Sequence, residues 1–321
     1  MDNQYCVIGI YFGTLRSDFA LWLKSCEANS DIDFILITDA NCSNYNLPNN
    51  VFLYTSTLQE VKKRASKMLG FEVSLDFPYK LCDFRPAFGI IFQDLIEKYS
   101  YWGHCDFDMM FGRISYFFET YRIHDYIHFL TQGHLSLYKN EVNIIDNMFL
   151  KGSPYDAKTV FTSKNNFAFD ENYGIGKIYK RNNIPQFEKN IYADISPVWK
   201  RLRRSPYYIW DVPPKDYKHQ LFIWEKGRTY WIYIDENGTL KKEEVLYLHY
   251  QKRKLNIDNI KRIIDSDIVV ITPSKFIPWE GDLTKEDIYR LNPYSKFNDT
   301  FYYMKWKINK QWKRMKLKLK K

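Results

Sequence analysis

Short apolar runs alternate with helical patterns along the first hundred residues, and this alternation constrains the fold more than any other feature. Residues 7–12, 33–39 and 51–54 each have strand length, and residues 17–26 carry Phe19, Leu21, Trp22 and Leu23 in a helical grouping. Strands separated by helices predict βαβ units and a parallel sheet. The expected class is therefore α/β, a mostly parallel sheet flanked by helices. Ligands of such sheets gather at the carboxyl ends of the strands. Tyr11, Phe12 and Asp39 occupy that rim.

Further along, residues 57–69 read as a basic amphipathic helix. Residues 81–99 read as another, with Phe84, Phe88, Ile91, Phe92, Leu95 and Ile96 at helical spacing. Residues 222–233 predict a hairpin turning at Lys226-Gly227, and residues 245–250 a later strand. Helical patterns follow at 255–264 and 285–291. No apolar run approaches the roughly 18–20 residues of a membrane span, and residues 1–4 lack the basic region of a signal peptide. The expectation is a chain that is neither secreted by that route nor membrane-spanning. The 5 cysteines are odd in number and never spaced C-x-x-C. That argues against a disulfide scaffold or zinc module and for reduced, buried thiols.

The net charge of +9 suggests a nucleic-acid binder until it is located. Residues 304–321 hold nine lysines and arginines and no acid, so the preceding 303 residues are electrically balanced. On a helical wheel, Phe301, Met304, Ile308, Trp312, Met315 and Leu319 share one arc. Most of the bases lie off it, and Trp306 and Leu317 break the pattern. A basic helix with an apolar face predicts an anionic membrane surface as partner, with no nucleic acid.

Three Asp-x-Asp triplets occur: Asp31/Asp33, Asp106/Asp108 and Asp265/Asp267. The first and third sit at strand entrances, where solvated acids are expected. Asp106 and Asp108 instead flank Phe107 and precede Met109-Met110-Phe111. Acids among apolar residues are costly unless paired or metal-bound. Two close carboxylates suit Mn²⁺ or Mg²⁺, hard ions that also take phosphate oxygens. A solvated loop or a structural salt bridge is the alternative for this pair.

The order of motifs around that pair resembles a known family. Tyr79-Lys80-Leu81-Cys82-Asp83-Phe84-Arg85-Pro86, a helix, and Tyr101-Trp102-Gly103-His104-Cys105-Asp106-Phe107-Asp108 are similar to the GT-A sugar-nucleotide glycosyltransferases. More narrowly, they resemble a bacterial family encoded in capsule and surface-polysaccharide clusters. Gln132-Gly133-His134, Phe169-Asp170-Glu171 and Tyr247-Leu248-His249-Tyr250 continue the pattern in order, over residues 5–255. The resemblance implies a GT-A, Rossmann-like fold with Asp106, Asp108 and His249 as metal ligands. It implies donor contacts from Tyr11, Asp39, Lys80, Asp83, Arg85, Asp106, Lys252 and Arg253, with His134 on the acceptor side. Asp170 and Glu171 are the candidate catalytic carboxylates, Glu171 foremost, with Asp194 and Asp211 in reserve. Trp210, Trp224 and Trp231 could stack on sugars, although core packing is the default for aromatics in strands.

The expected function is metal-dependent transfer of a hexosyl unit from a nucleotide sugar, UDP-linked, to a lipid-linked or growing surface-polysaccharide acceptor. The expected site of action is cytoplasmic, peripheral on the inner face of the plasma membrane. The expected divisions are a catalytic domain over 1–255, a helical extension over 256–300 and a basic amphipathic tail over 301–321. A metal-dependent nucleotidyl- or phosphotransferase is the enzymatic rival. It would usually show a phosphate-cradling glycine loop, and neither G-x-x-x-x-G-K-[ST] nor G-x-G-x-x-G is present. A non-catalytic carbohydrate- or membrane-binding protein is the other rival, and it would leave Asp106 and Asp108 without a task.

Overall fold

The computed structural model describes residues 3–141, 145–205 and 216–318. Its strands, in chain order, are Tyr5–Tyr11 (β1), Ile32–Thr38 (β2), Val51–Thr55 (β3), Tyr101–Cys105 (β4), Met109–Phe111 (β5), His128–Phe129 (β6), Leu135–Lys139 (β7), Gln186–Phe187 (β8), Ala193–Asp194 (β9), Gln220–Glu225 (β10), Arg228–Ile234 (β11), Leu240–Val245 (β12), Tyr247–His249 (β13), Ile268–Ile271 (β14) and Phe276–Trp279 (β15). They fall into two compact units. The first comprises residues 1–107 and 113–189, the second residues 108–112 and 190–321.

The first unit is built on a seven-stranded sheet in the order β3-β2-β1-β4-β7-β6-β8. β1, β2, β3 and β4 run parallel, and β7 is antiparallel to β4. This is the mostly parallel, helix-flanked sheet that the alternating pattern predicts, and it is Rossmann-like. Both faces are covered, which is why β2 and β4 are buried at every residue and apolar at most. The chain lays down β1, β2 and β3 in one direction and then returns with β4 on the other side of β1. The strand order therefore reverses between β1 and β4, the place where open α/β sheets form their ligand crevice.

On one face, the helix Phe19–Glu27 packs Phe19 and Trp22 against Phe34 and Phe107. On the other, Phe84, Phe88, Ile91 and Phe92 pack with Ile35, Ile37 and Trp102. The single helix expected over 81–99 is broken into Leu81–Phe84, a 3₁₀ turn Arg85–Ala87, then Phe88–Ile91 and Gln93–Ile96. Pro86 has no N–H to continue the ladder, and Phe92 leaves helical geometry at φ −118°, ψ 29°. The helix expected over 57–69 is found as Leu58–Leu69, started by a Thr57/Glu60 capping box and stopped at left-handed Gly70.

The second unit holds a five-stranded antiparallel sheet, β12-β11-β10-β14-β15. The hairpin β10–β11 turns at Lys226 and Gly227, both at positive φ, as the sequence predicts. The stretch 256–300, expected to be a helical extension, supplies β14 and β15 as well as the helices Ile260–Ile264 and Lys285–Leu291. The β-branched run Ile268-Val269-Val270-Ile271 suits a strand and pairs directly with β10. A small sheet, β5-β13-β9, completes the unit. Among the described residues, no helix is long and apolar enough to cross a membrane.

Candidate active site

In the first unit, the carboxyl ends of β1, β2 and β4 carry Tyr11, Asp39 and Asp106. Tyr11 meets Phe107 edge-on, ring centroids 5.5 Å apart. Asp39 is exposed and accepts the backbone N–H of Gly13 at 2.7 Å. Phe107 is itself buried, and Gly9 makes room for it. A Cβ at Gly9 would lie 2.7 Å from the Phe107 ring. Phe107 thus pins the centre of the Asp106-Phe107-Asp108 triplet, the point at which the chain passes from the first unit into the second.

Arg85, at the helix break, joins three parts of this rim. It is paired with Asp106, and its other terminal nitrogen donates to the Asp170 carboxylate at 2.8 Å and the Gly133 carbonyl at 2.6 Å. Burial opposes charge on Arg85, but Asp106 and Asp170 outweigh it and raise its pKa. Asp170 is only 2% exposed, and burial pushes its carboxyl up to about 7 despite the arginine. Its approach to the 132–134 loop requires Gly133: a Cβ there would stand 2.4 Å from the carboxylate oxygen. His134 continues the loop, and its carbonyl accepts the Asp106 backbone N–H at 2.9 Å. Glu171, next to buried Asp170, is exposed. Its carbonyl accepts the N–H groups of Gly174 and Gly176, which fixes the backbone beneath it.

Lys80 and Asp83 are placed differently from the expectation. Both are fully buried. Lys80 Nζ donates to Asp83 at 2.8 Å and to the carbonyls of Val160 and Asn165 at 2.8 and 2.5 Å. Asp83 accepts the N–H groups of Phe167 and Phe169 at 3.0–3.1 Å. A direct donor contact does not fit that burial. The pair instead ties down the segment that leads into Asp170 and Glu171.

In the second unit, the register of the small sheet builds a histidine–carboxylate cluster. β13 pairs antiparallel with β5, setting His249 opposite Met109, and parallel with β9, setting His249 opposite Asp194. The Tyr250 N–H reaches the Asp108 carbonyl at 3.0 Å. His249 Nδ1 lies 2.8 Å from Asp194, and its Nε2 lies 3.4 Å from Asp108. Gln251 also donates to Asp194, at 2.7 Å. Burial opposes charge on His249, but the bonds and charges of Asp108 and Asp194 prevail and push its pKa up to about 10. The donor set fits a divalent ion. The Asp108 carboxylate suits Mn²⁺ or Mg²⁺, the imidazole nitrogen favours the softer Mn²⁺ of the two, and a carboxylate on the far ring nitrogen is the usual support of a metal-bound histidine.

Arg253 does not present its guanidinium to a ligand. It is buried and donates to the carbonyls of Ser196, Trp199, Lys200, Arg201 and Pro273, and burial lowers its pKa to about 10. Lys252 is exposed beside it. Trp224 and Trp231 are core residues, with Nε1 bonded to the Phe111 carbonyl and to Gln220. Trp210 and Asp211 lie outside the described residues. Of the other triplets, Asp265 and Asp267 are exposed as expected, but Asp33 is buried and accepts the Tyr99 hydroxyl at 2.6 Å.

The structure adds partners that sequence patterning does not show. Asp194 was visible only as one acid among several, because β9 is two residues long and its pairing is non-local. The Arg85–Asp170–Gly133 contact joins residues 85 positions apart. Its one sequence signal is the glycine of the 132–134 loop.

Together, the fold and these clusters define an α/β protein, with acidic side chains after the parallel strands of a Rossmann-like sheet in one unit and a histidine–carboxylate cluster on a small sheet in the other. Residues 7–280 match a protein family described as a family of unknown function (DUF6625), and the chain belongs to that family. No curated protein sequence matches it. Among solved structures, it is similar to the apo form of mouse xyloside xylosyltransferase 1, at 6% identity and a TM-score of 0.34, over 59% of this chain and 86% of that one. Similarity of that degree fixes neither fold nor activity.

Proposed function

We propose that the protein is a metal-dependent glycosyltransferase that moves a hexosyl unit from a nucleotide sugar, UDP-linked, to a glycan acceptor. The observation that carries this reading is His249 held by Asp194 on one ring nitrogen and facing Asp108 with the other, on the triplet that leaves the switch point of the sheet. The motif order from residue 79 to residue 250 supports it. Asp108 and His249 would hold Mn²⁺ or Mg²⁺. The ion would offset the charge of a departing diphosphate.

The chain's own residues divide the remaining work. Tyr11 and Asp39 line the nucleotide end of the crevice, where ligands of such sheets lie. Arg85 holds Asp106 and the Gly133–His134 loop in one arrangement, and buried Asp170 keeps Arg85 in place. Glu171, exposed on a fixed backbone, is the group that would take the proton of the acceptor hydroxyl. Lys252 and Lys254 are the exposed cations just after β13. The test is a screen of nucleotide sugars for hydrolysis with and without Mn²⁺. Metal-dependent release of UDP from one donor supports the reading. Cleavage of nucleoside triphosphates with no action on any nucleotide sugar would favour the nucleotidyltransferase alternative instead.

A further inference from the structure

The helix Lys296–Lys318 presents an arrangement that sugar transfer does not use. At about 100° per residue, Phe297, Phe301, Met304, Ile308 and Trp312 fall within one arc of roughly 80°. Their exposures are 80%, 60%, 55%, 51% and 58%. The opposite side of the same helix is the one fastened to its own unit. Asp299 receives the Nε–H of buried Arg201 at 2.6 Å. Tyr303 stacks on Trp199, with ring centroids 5.2 Å apart and planes at 10°. The anchored side thus turns the apolar stripe away from the body that holds the helix.

Charge identifies what the stripe meets. Lys305 and Lys307 are exposed on either flank of it. After Asp299 the sequence contains no acid, and nine bases fall within residues 304–321. Leu319, which continues the arc in the sequence, lies outside the described residues. A nucleic acid would use the bases without needing five large apolar side chains in register. A second copy of the helix would set nine positive charges against nine. A surface that is apolar just below a layer of negative charge satisfies both features.

We propose that the helix Lys296–Lys318 docks the protein on an anionic lipid surface, lying in the interface with the Phe297–Trp312 stripe inserted and Lys305 and Lys307 at headgroup level. The test is co-sedimentation of the full chain with vesicles of phosphatidylcholine alone and of phosphatidylcholine with phosphatidylglycerol. Binding is expected to the second and to weaken with salt. Phe301→Ser with Ile308→Ser should reduce it by on the order of 10-fold or more, and Lys305→Gln with Lys307→Gln by roughly 25-fold at low salt. Circular dichroism and thermal melting should show both double variants folded, because the four side chains are exposed. Equal binding to the neutral vesicles, or unchanged binding by either double variant, would overturn the proposal. So would self-association that the Phe301/Ile308 variant abolishes, in a protein that binds neither vesicle. Donor hydrolysis in solution should be the same in all these variants, so a failure here is distinct from a failure of the proposed activity.

Discussion

Replacing Asp83 by asparagine leaves the Lys80 ammonium in a fully buried site without its anionic partner. The structure gives the terms. Lys80 would keep the carbonyls of Val160 and Asn165, while the Phe167 and Phe169 N–H groups would share a single amide oxygen in place of a carboxylate. Breaking a buried ion pair by removing one member costs about 3–5 kcal/mol, and weakened bonds to buried N–H groups add to it. Urea denaturation of Asp83→Asn should therefore show a loss of about 3–5 kcal/mol. Lys80→Met alone should also destabilise. The double variant should lose less than the sum of the two, by roughly 1–3 kcal/mol, because the pair is coupled. The loss should reach function as well, since the tethered segment runs directly into Asp170 and Glu171. A change below about 1 kcal/mol in Asp83→Asn, or strict additivity in the double variant, would refute a structural role for this pair.

Gly133→Ala places a Cβ against the Asp170 carboxylate and should cost about 1–3 kcal/mol, as overpacking does; it should also lower turnover by loosening Arg85, which donor hydrolysis and urea melts check together. Glu171→Gln should reduce transfer by roughly 10²–10⁴-fold while donor affinity holds, and normal turnover in that variant would move the base elsewhere. His128 is buried against Tyr138 and burial pushes its pKa down to about 3. The unfolded chain therefore takes up a proton below its pKa of about 6.5 that the folded chain refuses. Stability should be full above that pH and fall as pH drops towards 3, by about 2 kcal/mol at pH 5 for this residue alone. His128→Phe should flatten that slope in melts across pH 5–7.

How far the sequence revealed the molecule depends on the range of each signal. The alternation of apolar runs and helical groupings placed β1 to β3, and Lys226-Gly227 placed the β10–β11 turn, because those signals are local. The Asp106/Asp108 pair stood out from the other two triplets by its apolar neighbours, and the structure puts Asp106 at the carboxyl end of β4 and Asp108 beside His249. What the sequence hid was non-local. The partnership of His249 with Asp194 comes from a two-residue strand whose register no periodicity shows. Lys80, Asp83 and Arg253 looked like ligand-facing charges because burial cannot be seen in a residue type; each is enclosed by main-chain groups from distant segments. The break at Pro86 and Phe92 was disguised by an apolar spacing that stays helical through it.

The central claim is that the Asp108–His249 arrangement couples a divalent ion to a nucleotide diphosphate. Calorimetric titration of UDP into the protein, with and without Mn²⁺, measures that coupling directly. The account predicts UDP binding that strengthens with Mn²⁺ in the wild type, loses that dependence in Asp108→Asn, and keeps a weakened form of it in Asp194→Asn. UDP binding by the wild type that is indifferent to the metal, or Mn²⁺ dependence undiminished in Asp108→Asn, would contradict it.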